Sequence, residues 1–185
     1  MKIKKIASGV NVAPMLWALQ ANPHLWNEHR MRTADEKSPH REVDDIWLRY
    51  AAPSEADKPG PHESQWYPSA AILPIKDLVY PLMQFVEGDA LGGVLLTRIP
   101  AGRSCYPHSD HGWHARFYEK FAIQIASAPG QRFCFEGESL EPMPGDVYTF
   151  NNEHTHWVTN DTPHDRITLI VCIKTDKEAI KCRGE

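Results

Sequence analysis

The chain has 185 residues, a formal net charge of −4, 42% hydrophobic and 24% charged residues. That length predicts one domain with room for a real core, and the balance is ordinary for a globular protein. The negative charge argues against a general nucleic-acid or membrane-surface binder, and no apolar run approaches the roughly 20 residues that span a bilayer.

At the N-terminus, Lys2, Lys4 and Lys5 before apolar residues imitate a signal peptide. Ser8, Gly9, Asn11 and Pro14 interrupt that stretch, so it reads as mature protein. The cysteines Cys105, Cys134, Cys172 and Cys182 form no C-x-x-C pair and read as reduced thiols of a cytoplasmic protein. Pro14 opens a predicted helix that Asn22-Pro23 stops. A polar-aromatic segment, Leu25 to Arg32, leads into a loop through Ser38-Pro39, and Asp45 to Tyr50 alternates as a strand. Residues 51–69, rich in proline, predict a long surface loop that folds over a site as a lid. A helix is predicted from Ile75 to Val86, kinked at Pro81.

After Gly92-Gly93 the character changes to short β-rich runs at 94–100, 121–127, 131–136, 146–150, 155–159 and 166–173, with 114–120 as a rim segment. The fold class is therefore mainly β (α+β), a sandwich or barrel. The expected organisation is one domain, 1–185, in which helices, a strand and lid-like loops occupy 1–92 and the β core occupies 93–175. In run 121–127, Phe121, Ile123 and Ile125 alternate with Ala122, Gln124 and Ala126. Small neighbours make Gln124 either a pocket residue or a solvent-facing one. In run 166–173, Arg166 shares a face with Thr168, Ile170 and Cys172. A charge at the head of an apolar face implies a buried partner.

Chemistry concentrates between His108 and Arg166. His108 and Asp110, two apart, can face one ion together, and a third ligand at His156 would give two histidines and one carboxylate on one face of a metal. That arrangement leaves open positions and suits non-haem Fe(II) oxygenases. The turn signal Asn160-Asp161-Thr162-Pro163 predicts that 155–159 and 166–173 pair as a hairpin, with His156 opposite Arg166. Arg166 would then clamp the far carboxylate of a dicarboxylate chelated at the metal. His154 shares the face of His156 and is the rival ligand, placed by this register at the rim. His111 and His114 are further rivals near Asp110. His24, His29, His40 and His62 read as surface or loop histidines, and Arg30, Arg32, Arg41 and Arg49 as solvated charge, with recognition of an acidic substrate as the alternative. Trp113 and Trp157 line a pocket or belong to the core.

The set His108-x-Asp110, His156, Arg166 and Thr168 resembles the signature of Fe(II)/2-oxoglutarate-dependent oxygenases, and Gly145-Asp146, Phe150 and His156-x-x-x-Asn160 resemble the second cupin motif. The stretch Lys120-Phe121-Ala122-Ile123-Gln124 is most similar to the aspartyl/asparaginyl β-hydroxylase-type branch, whose animal members lack the carboxylate that Asp110 would supply. The motifs cover about the C-terminal half. The resemblance implies a double-stranded β-helix of the jelly-roll or cupin type, with Fe(II) on His108, Asp110 and His156. It also implies 2-oxoglutarate on Arg166 and Thr168, with Gln124 alongside, and dioxygen as oxidant. The implied activity is hydroxylation of an amino-acid, peptidyl or other small-molecule substrate. The alternatives are a cupin-like metal or carboxylate-binding protein and a metal-dependent cupin enzyme, such as an isomerase, that needs no 2-oxoglutarate. Neither requires the clamp at Arg166.

Overall fold

The computed structural model describes residues 1–56 and 60–176, so Cys182 and part of the proline-rich loop lie outside the described residues. In chain order the elements are β1 (Ile3–Ala7), α1 (Ala13–Ala21), a 3-10 turn (Pro23–Leu25), β2 (Asp44–Tyr50) and β3 (Gln65–Trp66). Two helices follow, α2 (Ser69–Ile72) and α3 (Lys76–Phe85), then β4 (Gly88–Ile99), β5 (Ser104–His108) and α4 (Trp113–Phe117). The remainder is β6 (Glu119–Ala126), β7 (Arg132–Phe135), β8 (Glu138–Leu140), β9 (Val147–Phe150), β10 (His156–Thr159) and β11 (Arg166–Thr175).

The strands form a seven-stranded sheet ordered β1-β9-β6-β11-β4-β2-β3 and a four-stranded sheet ordered β5-β10-β7-β8, with every pairing antiparallel. Period-two alternation sorts the side chains of the large sheet. On its outer face Ile46, Leu48, Val94, Leu96, Phe121, Ile123, Val147, Leu169 and Val171 join one core with Met15 and Leu19 of α1 and Leu78, Val79 and Leu82 of α3. On its inner face Ile99, Ala122, Tyr148 and Phe150 meet Phe133, Phe135 and Val158 of the small sheet in a second core. The helices therefore back one sheet, and the space between the sheets is left for a site. Pro81 lies inside α3, and Phe85 on that helix is exposed.

The inner face reads as rungs fixed by register. Asp45, Thr97, Thr168 and Gln124 stand side by side on β2, β4, β11 and β6, and Trp47, Leu95, Ile170, Ala122 and Tyr148 form the next rung. Cys172, Lys120 and Phe150 form a third, toward the open end.

The expected hairpin is absent. β10 pairs with β5 and β7, whereas β11 pairs with β4 and β6, so His156 and Arg166 face each other from opposite sheets instead of being cross-strand neighbours. The Asn160–Asp165 connection carries the chain from one sheet to the other. Asn160 is fully buried, its Nδ2 donates to the carbonyls of Ile99, Pro100 and His164, and its Oδ1 accepts from Gln131 Nε2 at 2.9 Å. Those bonds tie the loop to the end of β4, which swings β11 onto the large sheet. The glycine of Gly145-Asp146 is equally structural. Its φ is +85°, and a Cβ there would stand 2.7 Å from the Val10 carbonyl oxygen, so only glycine fits the turn into β9.

Candidate active site

β5 ends at His108, and the following loop bends back so that Asp110 N–H donates to the Asn152 carbonyl at 2.8 Å. His156 opens β10 beside β5, directly opposite His108. One donor atom from each of His108, Asp110 and His156 lies within 4.8 Å of the others, so the three can hold a single ion. The imidazoles are oriented alike. His108 Nδ1 bonds the Tyr106 carbonyl at 2.7 Å and His156 Nδ1 bonds the His154 carbonyl at 2.9 Å. A carbonyl only accepts, so each ring carries its proton on Nδ1 and turns the Nε2 lone pair inward. Burial lowers the pKa of both, His156 to about 4, so both rings are neutral and ready to ligate at neutral pH.

Asp110 divides its two oxygens. Oδ1 faces His108 Nε2 at 3.7 Å, while Oδ2 accepts from Lys120 Nζ at 3.2 Å and from Asn152 Nδ2 at 3.3 Å. Burial alone would raise this carboxyl, but Lys120 and the two facing histidines hold it well below the usual carboxylate range. One oxygen stays free for a metal. A rival donor set, His40, Cys105 and His108, shares one histidine, but burial pushes the Cys105 thiol up to about 12 and keeps it protonated.

Arg166 is buried and lines the same cavity as the three potential ligands. Its Nη1 donates to Thr168 Oγ1 at 2.7 Å and its Nη2 to Tyr148 Oη at 3.0 Å, while Nε is buried with no acceptor among the described residues. Gln124 is fully buried, not solvent-facing. Its Nε2 is pinned by the carbonyls of Ala126 and Ile167, and its Oε1 accepts from Thr168 Oγ1 at 3.2 Å and Tyr148 Oη at 3.5 Å. Both hydroxyl protons point at Gln124, which leaves their oxygens for the guanidinium. Asp110 is the one acidic residue among those lining the cavity, so Arg166 meets no carboxylate there. A buried guanidinium held by two neutral hydroxyls implies an anionic ligand.

Several participants depart from the sequence expectations. Arg32 is not solvated: its Nε and Nη2 grip the fully buried Asp45 at 2.7 and 2.9 Å, and Nη2 also reaches Thr97. His40 packs edge-on against His108 with ring centroids 4.4 Å apart, and His62 sits among Tyr50, Trp113 and His114. Both lie in loops, as one of the two expectations had it, but beside the site and not at the surface. His111 and His154 are exposed, and only the carbonyl of His154 reaches the site. Tyr148 went unread although a signal existed, since it stands two residues before Phe150 on the inward face of β9. Lys120, two before Ala122 on β6, carried the same signal.

No family model matches the chain, and no curated protein matches it either. Solved structures do. A prolyl hydroxylase from Trichoplax adhaerens, in complex with a hypoxia inducible factor oxygen degradation domain peptide fragment, superposes with a TM-score of 0.65 at 9% identity, over 100% of this chain and 87% of that one. An oxidoreductase of the 2OG-Fe(II) oxygenase family from Burkholderia pseudomallei gives 0.57 at 13% identity, over 94% and 84%. The viral collagen prolyl hydroxylase of Paramecium bursaria Chlorella virus-1 gives 0.56 at 12% identity, over 95% and 97%. At such identities the shared property is the fold, a double-stranded β-helix with its two sheets filled as described above.

Proposed function

We propose that this chain is an Fe(II)- and 2-oxoglutarate-dependent dioxygenase that hydroxylates a small-molecule or peptidyl substrate. The observation that carries the reading is Arg166: a buried guanidinium with an unpartnered Nε, two hydroxyl neighbours and no carboxylate, in one cavity with His108, Asp110 and His156. A metal-binding protein without turnover, or a cupin enzyme that needs no 2-oxoglutarate, has no use for it. In this reading His108 Nε2, His156 Nε2 and Asp110 Oδ1 hold the iron, which suits a mixed imidazole and carboxylate set with open positions. Arg166 and Thr168, with Tyr148 and Gln124 behind them, hold the distal carboxylate of 2-oxoglutarate. When bound, iron and 2-oxoglutarate supply the oxidising chemistry, with dioxygen consumed and the co-substrate decarboxylated to succinate and CO₂.

The chain's own contribution is orientation and exclusion of water. The carbonyls of Tyr106 and His154 fix the two imidazoles, and Lys120 with Asn152 fixes the carboxylate. Phe133 and Val158 on the small sheet and Phe150 on the large one line the cavity and keep it apolar. We take residues 1–185 as one oxygenase domain acting in the cytoplasm. No helix among the described residues is long and apolar enough to cross a membrane. Within the oxygenases, the inward Lys120 and Gln124 support the aspartyl/asparaginyl-type placement, while the solved structures named above are prolyl hydroxylases and an oxidoreductase. The neighbour with a bound peptide supports a peptidyl substrate.

The test is anaerobic addition of Fe(II) and then 2-oxoglutarate to the purified protein, monitored for a visible metal-to-ligand charge-transfer band. The band is expected. Folded protein that binds iron and gives none would overturn the proposal.

A further inference from the structure

Outside the potential metal ligands, a second hollow opens toward solvent between the large sheet and the segments at 39–40 and 109–115. Arg32, Trp47, Tyr50, His114, Lys120 and Cys172 line it, and Asp110 is the one acidic residue among those that do. It adjoins the inner cavity through shared residues, Arg32, His40, Leu95, His108, Asp110 and Lys120. Its walls are flat rings. Tyr50 packs edge-on with His62, and His114 lies against the Gly93 backbone, where any Cβ would press to 3.3 Å from Tyr50 and 3.4 Å from His114.

The polar atoms of this hollow are predominantly donors. Trp47 Nε1 is buried and has no acceptor among the described residues. His114 Nε2 accepts the Gly93 N–H at 3.2 Å, so its proton sits on Nδ1 and that nitrogen is a donor. Lys120 offers up to three N–H bonds, of which Asp110 takes one, at 3.2 Å, and the Cys172 thiol a second, which leaves one. A substrate without acceptor atoms here would leave this surplus unanswered, at the cost of buried donors without partners.

The charges agree. Arg32 and Asp45 form a closed pair with two bonds, so their charges cancel. Of the remaining cavity charges, Lys120 and Arg166 are positive and Asp110 is negative, an excess of one positive charge. The inference rests on the proposed function at this point: Fe(II) and 2-oxoglutarate bring two positive and two negative charges together and leave the excess unchanged. Asp110 is then shared between the metal and Lys120 and the distal carboxylate serves Arg166, so the positive excess falls at the Lys120 ammonium. A net positive charge in a half-buried site is costly, and an incoming anion would offset it.

We infer that the outer hollow is the substrate's carboxylate subsite: the substrate is an anion whose carboxylate bonds Lys120 and the Trp47 indole N–H, with its body between the rings of Tyr50 and His114. The carboxylate belongs to a small free acid or to a peptide side chain, since both offer the same chemistry to Lys120.

The test uses the protein loaded with Mn(II), which does not turn over, and 2-oxoglutarate. Isothermal titration compares matched acid and amide probes: phenylacetate against phenylacetamide, and capped aspartate against capped asparagine. At least one acid is expected to bind tenfold or more tighter than its amide, and the pair that shows the preference identifies the source of the carboxylate. Lys120→Met should abolish the preference and Lys120→Arg should retain it. Lys120→Gln, which keeps a donor toward Asp110, serves if the methionine variant does not fold. Equal binding of acid and amide in both pairs, or a preference that survives Lys120→Met and Lys120→Gln, would overturn the inference. Failure of the proposed function reads differently: 2-oxoglutarate would not bind the Mn(II) protein, whereas the Lys120-dependent acid preference, measured with Mn(II) alone, would persist.

Discussion

Replacing Arg166 with methionine tests the inner site from two directions. Arg166 is 2% exposed, and the partners of its guanidinium among the described residues are two neutral hydroxyls. A buried charge without a counter-charge destabilises the fold, and an apolar side chain of similar volume often recovers about 1–4 kcal/mol. Arg166→Met should therefore unfold at a higher denaturant concentration than the wild type when both are free of ligand. With 2-oxoglutarate the variant's advantage should shrink by about 2–3 kcal/mol. Losing one side of a buried, hydrogen-bonded charge pair costs about 2–5 kcal/mol, roughly 30-fold to several-thousand-fold in affinity. At a ligand concentration about 100 times the wild-type dissociation constant, the wild type gains about 2.7 kcal/mol, and the variant from about 0.9 kcal/mol at a 30-fold loss down to almost nothing at a thousand-fold loss. The assay is chemical denaturation of the Mn(II) protein with and without 2-oxoglutarate, beside a direct titration. Unchanged affinity in the variant would remove Arg166 from the site. A ligand-free variant less stable than the wild type would show that the hydroxyl pair already satisfies the charge.

Metal content separates the histidines: His156→Ala should abolish metal binding, and His154→Ala should retain it because only its backbone carbonyl, which the substitution keeps, reaches His156. Asp110→Ala should lose metal and also about 1–3 kcal/mol of stability, since Lys120 is left without its carboxylate. Adding Lys120→Met should restore the melting temperature but not the metal, and independent effects of the two substitutions would contradict the coupling. Gln124→Leu should weaken 2-oxoglutarate about tenfold, near 1.4 kcal/mol, with metal affinity unchanged, because the hydroxyls of Thr168 and Tyr148 lose the acceptor that orients them. Burial lowers His114 to about 3, so the unfolded chain binds a proton that the folded chain does not. Its contribution to stability is fully present above about pH 6.5 and lost as pH falls toward 3, at up to about 1.4 kcal/mol per pH unit. Denaturant unfolding of the metal-free protein between pH 7.5 and 5 should show a shallower pH slope for His114→Gln than for the wild type.

Much of the fold is legible in the sequence because alternation is a local signal. Phe121, Ile123 and Ile125 against Lys120, Ala122 and Gln124 sort into helix-facing and cavity-facing sides with nothing but period two. β1 escaped because its lysines resemble a leader segment; it acquires its role only by closing the edge of the large sheet on β9. β5 escaped because Pro107 and its polar neighbours carry no strand signal, and its pairing with β10 is supplied by the other strand. Arg32 and His40 lie in loop-like sequence. What buries them is Asp45 on the inner face of β2 and the packing of His40 on His108, and no local pattern announces either contact.

The hairpin shows why a site can be read through a wrong geometry. Choosing His156 over His154 drew on a register that does not exist, since β10 and β11 lie in different sheets. Yet the inference that His156 and Arg166 share a cavity needs only that both side chains point inward. Alternation supplies that whether the strands pair side by side or face each other across a sandwich. What the two geometries do not share is distance. Cross-strand partners would sit about 5 Å apart, and facing sheets stand about 10 Å apart. A chelating dicarboxylate has to reach from a metal to a clamp, so the facing arrangement gives it room that the paired one would deny. The loop that sets this distance is held by Asn160, whose side chain binds Ile99 and Pro100 at the end of β4. Asn160 therefore shapes the cavity although it touches neither a potential metal ligand nor Arg166: it ties the connection between the two sheets to the end of β4.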